Sequence, residues 1–513
     1  MNGAESLVRT LIACGIDTCF ANPGTSEMHF VSALDRIPGM RCVLGLQENI
    51  VTGAADGYWR IRRKPAATLL HCGPGLANGL ANLHNARRGH SGIVNVVGDH
   101  ATYHRPLDAP LTSDIESLAR NVSGWIRTTG TPERVGADTA AAVQAASTFP
   151  GHIATLILPG DCAWGDGGRM AEPMPAPAVP HPAPFAIEDA ARALRSGGRT
   201  LLLLGSDTLS SIEAMMAAHR IAVTTGAQVL TETHIARIER GRGMPAFDRM
   251  PYRHDAAKAM IGEPDHMILA GAKPPVGFFA YPDKPSRFWS PATQIHELST
   301  PDQDGTVALT LLAEALNAAV ADIPDIPPAT PARGALGLQP VARTIAAHIP
   351  ENAIVMDEGS LFGGVLFPES WGAPRHSWLQ QTGGAIGAGI PMSIGMAIAS
   401  PERRVVSLQA DGSGMFTVQG LWTQARENLD VTTIVFSNKK YAILLEELES
   451  VGAGKPGRNA LDMMTLNDPD IDWCGMARSL GVESAKAASC EELSDLLSTS
   501  LRRRGPFLIQ LDV

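Results

Sequence analysis

The stretch at residues 404–441 reads RVVSLQADGSGMFTVQGLWTQARENLDVTTIVFSNKKY, and it predicts a strand, a turn, a helix and a second strand. Arg404–Gln409 is short and largely apolar, which is typical of a strand buried in a parallel sheet. Glycines in the turn Asp411–Gly414 let the backbone approach a ligand closely. Apolar residues then recur at helical spacing over 415–428, and Thr432–Ser437 completes a βαβ unit.

Two side chains with oxygen atoms, Asp411 and Asn438, lie at the ends of these two predicted strands. Parallel α/β sheets bind their ligands at the edge where the strands end. A carboxylate, an amide oxygen and nearby backbone carbonyls suit Mg²⁺ that also holds a diphosphate. The alternative is an ordinary βαβ unit with a chance Asp-Gly turn, which is a common feature of proteins.

The composition of the chain sets limits on its class. At 513 residues the length favours about three domains. The net charge of −10 argues against a nucleic-acid-binding surface. The seven cysteines are scattered without a CxxC or metal-like spacing, which predicts a reduced, cytoplasmic protein. No basic leader is present and no apolar run approaches ~18 residues, so we expect no membrane partner.

Two proline-rich stretches, Ala171–Pro184 and Ile323–Pro331, predict extended linkers because proline interrupts both helices and central strands. They divide the chain into segments 1–170, 185–321 and 334–513. Each segment alternates apolar strands with helical runs, so the predicted fold class is α/β, with three doubly wound parallel-sheet domains. The middle segment lacks a GxGxxG fingerprint, so nothing in it requires a nucleotide.

Four motifs occur in register: NPGT at 22–25, LQE at 46–48, AADGY at 54–58 and ADG at 410–412. With these motifs the chain resembles, over essentially its full length, the thiamine diphosphate (ThDP)-dependent decarboxylase and acetolactate synthase-like family. Within it the chain is most similar to benzoylformate decarboxylase and to acetolactate synthase large-subunit-like proteins. The resemblance implies a pyrimidine-binding first domain, a central domain and a diphosphate-binding last domain. The family's usual GDG and NN are ADG and SN here.

The resemblance implies ThDP and Mg²⁺ as cofactors. Asp411, the side chain of Asn438 and the backbone carbonyl of Lys440 are the implied Mg²⁺ ligands. The other implied cofactor contacts involve the diphosphate, the aminopyrimidine ring and the bent shape of the cofactor. They comprise Gly412, Ser413 and Ser360 at the diphosphate, the carbonyl of Gly384 at the exocyclic amine, Ile386 beneath the bend, and Tyr441. Core packing is the alternative for Ile386.

Three residues are implied to be catalytic. Glu48 matches the glutamate that hydrogen-bonds the aminopyrimidine ring nitrogen, with Leu44, Leu46 and Ile50 expected to form an apolar setting; the alternative is a glutamate favoured by a helix dipole. His71 matches a histidine that handles protons during the reaction, and the alternative is a structural histidine. Thr25 matches a serine that binds the substrate carboxylate, and the alternative is a turn hydroxyl.

Departures from the family pattern leave the reaction open. No histidine occurs at Phe279–Tyr281, and Leu444 stands where pyruvate decarboxylase has an acidic residue. The expected function is ThDP- and Mg²⁺-dependent action on a 2-oxo acid, with aldehyde release or carboligation of the enamine intermediate. The alternatives are an acetolactate synthase-like carboligase using pyruvate, and a non-catalytic ThDP-fold binding or regulatory protein. The resemblance implies a homodimer or homotetramer with active sites between subunits. FAD is compatible with the fold, but no sequence feature supports it.

Overall fold

The computed structural model describes residues 1–513 and contains three separate β-sheets. The strands of the first segment are β1 (Thr18–Ala21), β2 (Arg41–Leu44), β3 (Ala66–Leu70), β4 (Ile93–Asp99), β5 (Trp125–Thr128) and β6 (Ile153–Pro159). They form one parallel sheet in the order β2-β1-β3-β4-β6-β5. The helices around them are α1 (Gly3–Ala13), α2 (Met28–Arg36), α3 (Glu48–Arg62), α4 (Cys72–Arg88), α5 (Ile115–Arg120), α6 (Val135–Ser147) and α7 (Gly160–Trp164).

The middle segment forms a second, smaller sheet. Its strands are β7 (Thr200–Leu204), β8 (Gln228–Thr231), β9 (Ile238–Arg240), β10 (Asp248–Arg249), β11 (His266–Ala270) and β12 (Gln294–Ser299). Five of them pair in parallel in the order β10-β8-β7-β11-β12, and β9 is not part of this sheet. The helices of this segment are α8 (Pro184–Arg195), α9 (Ile212–Thr225), α10 (His254–Ile261) and α11 (Gly305–Ala315).

The last segment forms the third sheet. Its strands are β13 (Ala353–Glu358), β14 (His376–Gln380), β15 (Val405–Ala410), β16 (Val431–Ser437), β17 (Glu483–Ala487) and β18 (Phe507–Asp512). The order is β17-β18-β16-β15-β13-β14-β9, with β9 antiparallel at the edge and the other strands parallel. Its helices are α12 (Leu338–His348), α13 (Leu361–Glu369), α14 (Gly389–Ala399), α15 (Asp411–Gly414), α16 (Gly420–Arg426), α17 (Ala442–Ser450), α18 (Arg458–Met464), α19 (Trp473–Ser479) and α20 (Cys490–Ser500).

Three parallel-dominated sheets confirm the predicted α/β fold class. The proline-rich stretches are mostly extended: residues 171–183 and 321–333 contain no named helix or strand. Pro184, the last residue of the first predicted linker, instead begins α8, a position where its missing N–H costs nothing. The domain boundaries themselves stay predictions, since β9 crosses from the middle segment to the third sheet.

Two predictions for residues 404–441 are wrong: the tight turn and the single helix that follows it. The predicted tight turn Asp411–Gly414 is a single helical turn, and the predicted helix over 415–428 divides into a 3₁₀ turn, Met415–Thr417, and α16. Gly420 begins α16, just after this interruption of the helix. A Cβ atom at Gly420 would lie 2.7 Å from Cγ2 of Ile390, so a larger residue would not fit there. The strand–helix–strand order is as predicted.

Helices α3 and α14 hold the first and third sheets together. A Cβ atom at Gly57 would lie 2.1 Å from the Met392 carbonyl oxygen, and one at Gly395 would lie 1.8 Å from the Ala54 carbonyl oxygen. Both positions therefore require glycine for the backbones to approach this closely. Buried apolar side chains from the first and last segments, including Tyr58 of α3 and Met392 of α14, form one continuous core cluster.

No helix of this structure combines the length and apolar character needed to cross a bilayer.

Candidate active site

The predicted metal-binding carboxylate is buried at the end of β15. Asp411 is the first residue of α15, where its Oδ1 accepts the N–H of Gly412 at 2.8 Å and its Oδ2 accepts the N–H of Lys439 at 2.8 Å. Burial raises the pKa of Asp411, and these two N–H donors partly counteract that effect. No cationic side chain bonds this carboxylate, so the position suits a metal ion.

The turn after β16 supplies two further oxygen atoms beside Asp411. Asn438 Oδ1 accepts the N–H of Lys440 at 3.1 Å, and Lys439 has a left-handed φ of 57° that turns the backbone here. The carbonyl oxygen of Lys440 accepts no hydrogen bond. The Lys439 N–H bond to Asp411 fixes this turn against β15. The structure thus places the three predicted Mg²⁺ ligands at neighbouring strand ends, and their binding of Mg²⁺ stays a prediction.

Tyr441 and Ser413 complete the neighbourhood of Asp411. A Cβ atom at Gly412 would lie 2.4 Å from ring atom Cε1 of Tyr441, so the ring can cover this turn only over a glycine. Ser413 Oγ accepts Gln409 Nε2 at 2.6 Å and donates to the Ala410 carbonyl at 3.2 Å. The Ser413 hydroxyl therefore already has partners within the chain, and its diphosphate contact stays a prediction.

Glu358 is a buried residue whose structural role the sequence did not reveal. It ends β13, and its carboxylate accepts the N–H groups of Gly387, Ala388 and Gly389 at 2.8, 3.1 and 2.8 Å. Burial raises the pKa of Glu358. This one side chain therefore fixes the glycine-rich loop before α14. The predicted diphosphate contact Ser360 is exposed, has a φ of 53°, and its hydroxyl makes no hydrogen bond.

The loop held by Glu358 carries the two residues predicted to bind the bent cofactor. Gly384 has a φ of 80°, and a Cβ atom there would lie 2.7 Å from Cζ of Phe278. No hydrogen bond reaches the Gly384 carbonyl oxygen, which leaves it free to accept one from a ligand. Ile386 is 37% exposed, so core packing does not explain it.

Glu48 lies at the other predicted end of the cofactor, as the first residue of α3. It is buried, its Oε2 accepts Asn78 Nδ2 at 3.0 Å, and its Oε1 would be 3.1 Å from a Cβ atom at Gly75. Ile50 is buried beside it in sequence, but Leu46 is 44% exposed. The prediction of a fully apolar environment for Glu48 is therefore wrong in part. Leu46 is exposed to solvent before the helix begins, and Asn78 makes a polar contact with the carboxylate.

His71 lies against the turn that contains Thr25, beyond the strands of the first sheet. His71 is the residue before α4, and its Nδ1 lies 2.9 Å from Oε2 of Glu27. Thr25 is exposed and begins the 3₁₀ turn Thr25–Glu27. The sequence did not predict Glu27 as a site residue, although Glu27 follows the NPGT motif by only two residues.

The predicted site residues fall into two groups, one in the first segment of the chain and one in the last. No hydrogen bond links Glu48 or His71 with Asp411, Asn438 or Lys440.

The departures from the family pattern are also visible in the structure. The Tyr281 hydroxyl bonds Glu447 of α17 at 3.0 Å, and Leu444 on the same helix is 44% exposed.

Comparison with known proteins matches both ends of the chain to one family. Residues 1–119 match the thiamine pyrophosphate enzyme, N-terminal TPP binding domain, and residues 368–511 match its C-terminal TPP binding domain. Thiamine pyrophosphate is another name for ThDP.

Relatives match over the full chain. A Mycobacterium tuberculosis protein with the provisional name acetolactate synthase large subunit IlvX is 47% identical, over 100% of this chain and 99% of its own. Benzoylformate decarboxylase from Pseudomonas aeruginosa is 26% identical, over 97% of this chain and 96% of its own. The structure of the Rhodococcus jostii ThDP-dependent 4-hydroxybenzoylformate decarboxylase has a TM-score of 0.85 at 22% identity, covering 100% of this chain and 99% of that one, which shows the shared fold.

The fold, the two matched binding domains and the full-length relative agree, and the chain therefore belongs to the thiamine diphosphate-dependent enzyme family, related to benzoylformate decarboxylase and acetolactate synthase, with ThDP as its cofactor.

Proposed function

We propose that this enzyme uses ThDP together with Mg²⁺ to release CO₂ from a 2-oxo acid, and then releases an aldehyde or joins the remaining acyl unit to an acceptor. The observation that carries the proposal is the buried Asp411 carboxylate facing a turn with a free Lys440 carbonyl and the Asn438 amide oxygen. One carboxylate leaves a divalent cation with net positive charge, which the diphosphate of ThDP would balance.

Bound ThDP supplies a carbon nucleophile and a sink for the electron pair that departing CO₂ leaves behind. Glu48 would hydrogen-bond the aminopyrimidine ring nitrogen, since its carboxyl lies buried at the start of α3 with Asn78 as its one side-chain partner. Gly384 would accept the exocyclic amine through its free carbonyl, and the protruding Ile386 would support the bend. Holding the reacting groups in one geometry is itself a large contribution to the rate.

The substrate end of the site would be formed by Thr25 and His71. The exposed hydroxyl of Thr25 can donate to the carboxylate of a 2-oxo acid. The partly exposed imidazole of His71 can accept or donate a proton through a ring nitrogen. Both lie at the carboxyl edge of the first sheet, where ligands of parallel sheets bind.

A second copy of the chain would complete the site. No hydrogen bond links Glu48 with Asp411 within one chain, and the resemblance to the family implies that these two residues meet one cofactor from different subunits. We expect a homodimer, or a tetramer built from such dimers, with each cofactor held between two subunits.

An acetolactate synthase-like carboligase using pyruvate is the second candidate. The structure favours it at one point: Tyr281 engages Glu447 and Leu444 is an exposed apolar side chain, so this side of the site offers few proton donors. An acyl unit that is protonated slowly has more time to attack a second carbonyl compound.

The deciding experiment uses Glu48→Gln. Purified protein with ThDP and Mg²⁺ is given a panel of 2-oxo acids, with and without aldehyde acceptors, and CO₂ and organic products are measured together. We expect Glu48→Gln to lose about 10²–10⁴-fold in kcat, since an amide cannot hold the proton. Glu449→Gln, at an exposed position of α17, is the matched control and should keep full activity.

Full activity of Glu48→Gln with ThDP would contradict the role of this residue. Free aldehyde would identify a decarboxylase, and a coupled hydroxyketone or acetohydroxy acid would identify a carboligase. ThDP binding without CO₂ release from any of the acids would contradict the proposed reaction.

A further inference from the structure

We propose that Glu27 is a positioning residue for His71, and that it holds the imidazole in one orientation with the proton on Nδ1. The inference rests on the proposed role of His71 in the reaction. Both carboxylate oxygens of Glu27 lie near this ring nitrogen, Oε2 at 2.9 Å and Oε1 at 3.1 Å. The side chain of Glu27 is 2% exposed, while that of His71 is 22% exposed. The buried carboxylate of Glu27 thus bonds one ring nitrogen of an imidazole that is partly exposed to solvent.

The other contacts of Glu27 assign the direction of this hydrogen bond. Oε2 accepts the backbone N–H of Gly24 at 2.8 Å, and Oε1 accepts the hydroxyl of Ser26. A carboxylate that receives hydrogen bonds from these donors serves as the acceptor toward His71 as well. The proton therefore lies on Nδ1, and Nε2 is the nitrogen available to a reacting group.

Two glycines beside Glu27 and His71 leave the space that this pair of side chains occupies. A Cβ atom at Gly24 would lie 2.1 Å from Nδ1 of His71, and a Cβ atom at Gly98 would lie 1.8 Å from Oε1 of Glu27. Any side chain at either glycine would displace the imidazole or the carboxylate. Thr25 lies on the same 3₁₀ turn as Glu27, so the turn joins the substrate-binding hydroxyl to the group that orients the histidine.

The neighbouring thiol does not compete with Glu27 for this role. Cys72 Sγ lies 3.2 Å from Ser26 Oγ, and burial raises the pKa of Cys72 to about 11. The thiol is therefore neutral at physiological pH, and the carboxylate is the anion beside His71. A carboxylate that orients a histidine in this way also stabilises the imidazolium form when the ring takes up a proton.

The test is a double-mutant cycle of Glu27→Gln and His71→Asn, measured as CO₂ release with ThDP and Mg²⁺. We expect Glu27→Gln to lower kcat by about 10²-fold with a much smaller change in KM, because it removes the charge that stabilises a protonated ring. In the His71→Asn background the same substitution should cost less than about twofold, since its effect passes through the histidine. Glu188→Gln, on the exposed side of α8, is the matched control and should leave kcat unchanged.

A second measurement does not depend on activity. Magic-angle-spinning NMR of ¹⁵N-histidine-labelled protein identifies the His71 ring nitrogens as the signals lost in His71→Asn. We expect a protonated Nδ1 in the wild type, and a proton on Nε2 in Glu27→Met, which keeps the side-chain length but removes the acceptor. Circular dichroism and ThDP binding would show that this variant is folded.

Three results would overturn the inference: wild-type kcat in Glu27→Gln, additive losses in the double variant, or an unprotonated Nδ1 in neutral wild-type protein. Full activity of His71→Asn would remove the role of His71 and this inference with it. If the wild type released no CO₂ from any acid, the proposed function would fail, and the NMR measurement would still decide whether Glu27 sets the protonated nitrogen.

Discussion

At the scale of single residues, buried carboxyl groups give the protein a measurable pH dependence. Glu232 follows β8, and the only hydrogen bond to its side-chain carboxylate is from the N–H of Ser206 at 3.0 Å. Burial raises the pKa of Glu232 to about 7. Because the folded pKa lies above the unfolded one, this group stabilises the protein fully below the unfolded pKa, and the stabilisation is lost as the pH rises through about 7.

We therefore expect wild-type protein to lose stability relative to Glu232→Gln between pH 5 and pH 8, by roughly 1–3 kcal/mol in the free energy of unfolding. Thermal unfolding of both proteins across this window checks the prediction. Glu188→Gln controls for the loss of a negative charge at an exposed position. A constant difference between wild type and Glu232→Gln would show that Glu232 does not hold its proton near neutral pH.

At the scale of elements, helix α3 depends on an ion pair that is buried at both ends. Asp56 and Arg60 form two parallel hydrogen bonds, Nε to Oδ1 at 2.7 Å and Nη2 to Oδ2 at 2.8 Å. Arg60 also donates to the Gln380 carbonyl at 2.5 Å and to Thr382 Oγ1 at 2.9 Å. The pair thus ties the AADGY motif of the first segment to β14 and the loop that follows it.

We expect Arg60→Met to destabilise the protein by about 3–5 kcal/mol, because it leaves the Asp56 carboxylate buried without its partner. Arg62→Met changes an exposed arginine of the same helix and should stay within about 0.5 kcal/mol of the wild type. Chemical denaturation followed by circular dichroism measures both. Equal midpoints for the two variants would mean that the pair contributes little.

At the scale of the whole molecule, binding at the proposed metal site should raise the free energy of unfolding. A ligand that binds only the folded protein raises the free energy of unfolding by about 2.7 kcal/mol at a hundredfold excess over Kd. We expect ThDP with Mg²⁺ to raise Tm, and EDTA to reverse the part that depends on the metal. In Asp411→Asn the metal-dependent shift should vanish, because an amide carries no negative charge and offers one acceptor oxygen fewer.

Asp462→Asn, an exposed carboxylate of α18, is the control for this experiment and should keep the full shift. Differential scanning fluorimetry with and without ThDP, Mg²⁺ and EDTA provides the measurement. A metal-dependent shift that survives in Asp411→Asn would place the metal elsewhere.

Much of the candidate site could be predicted because it lies at strand ends. Asp411 and Asn438 follow strands that the apolar pattern predicts, and the structure places them on one sheet edge. Glu27 could not be found in this way, since its partner His71 is 44 residues away and the contact depends on how β1 and β3 lie together. The role of Glu358 could not be predicted either, because its three hydrogen bonds to the loop before α14 form only when β13 packs beside that loop.

The sequence by itself determined the strand–helix–strand order, the α/β class and the polar residues at the strand ends, because periodicity and glycine positions act over a few neighbouring residues. Only the tertiary structure decided that β9 leaves the middle sheet to pair antiparallel with β14, and that Glu27 lies against His71. These features depend on contacts between segments far apart in the chain. Such contacts are set by packing, which no local pattern specifies.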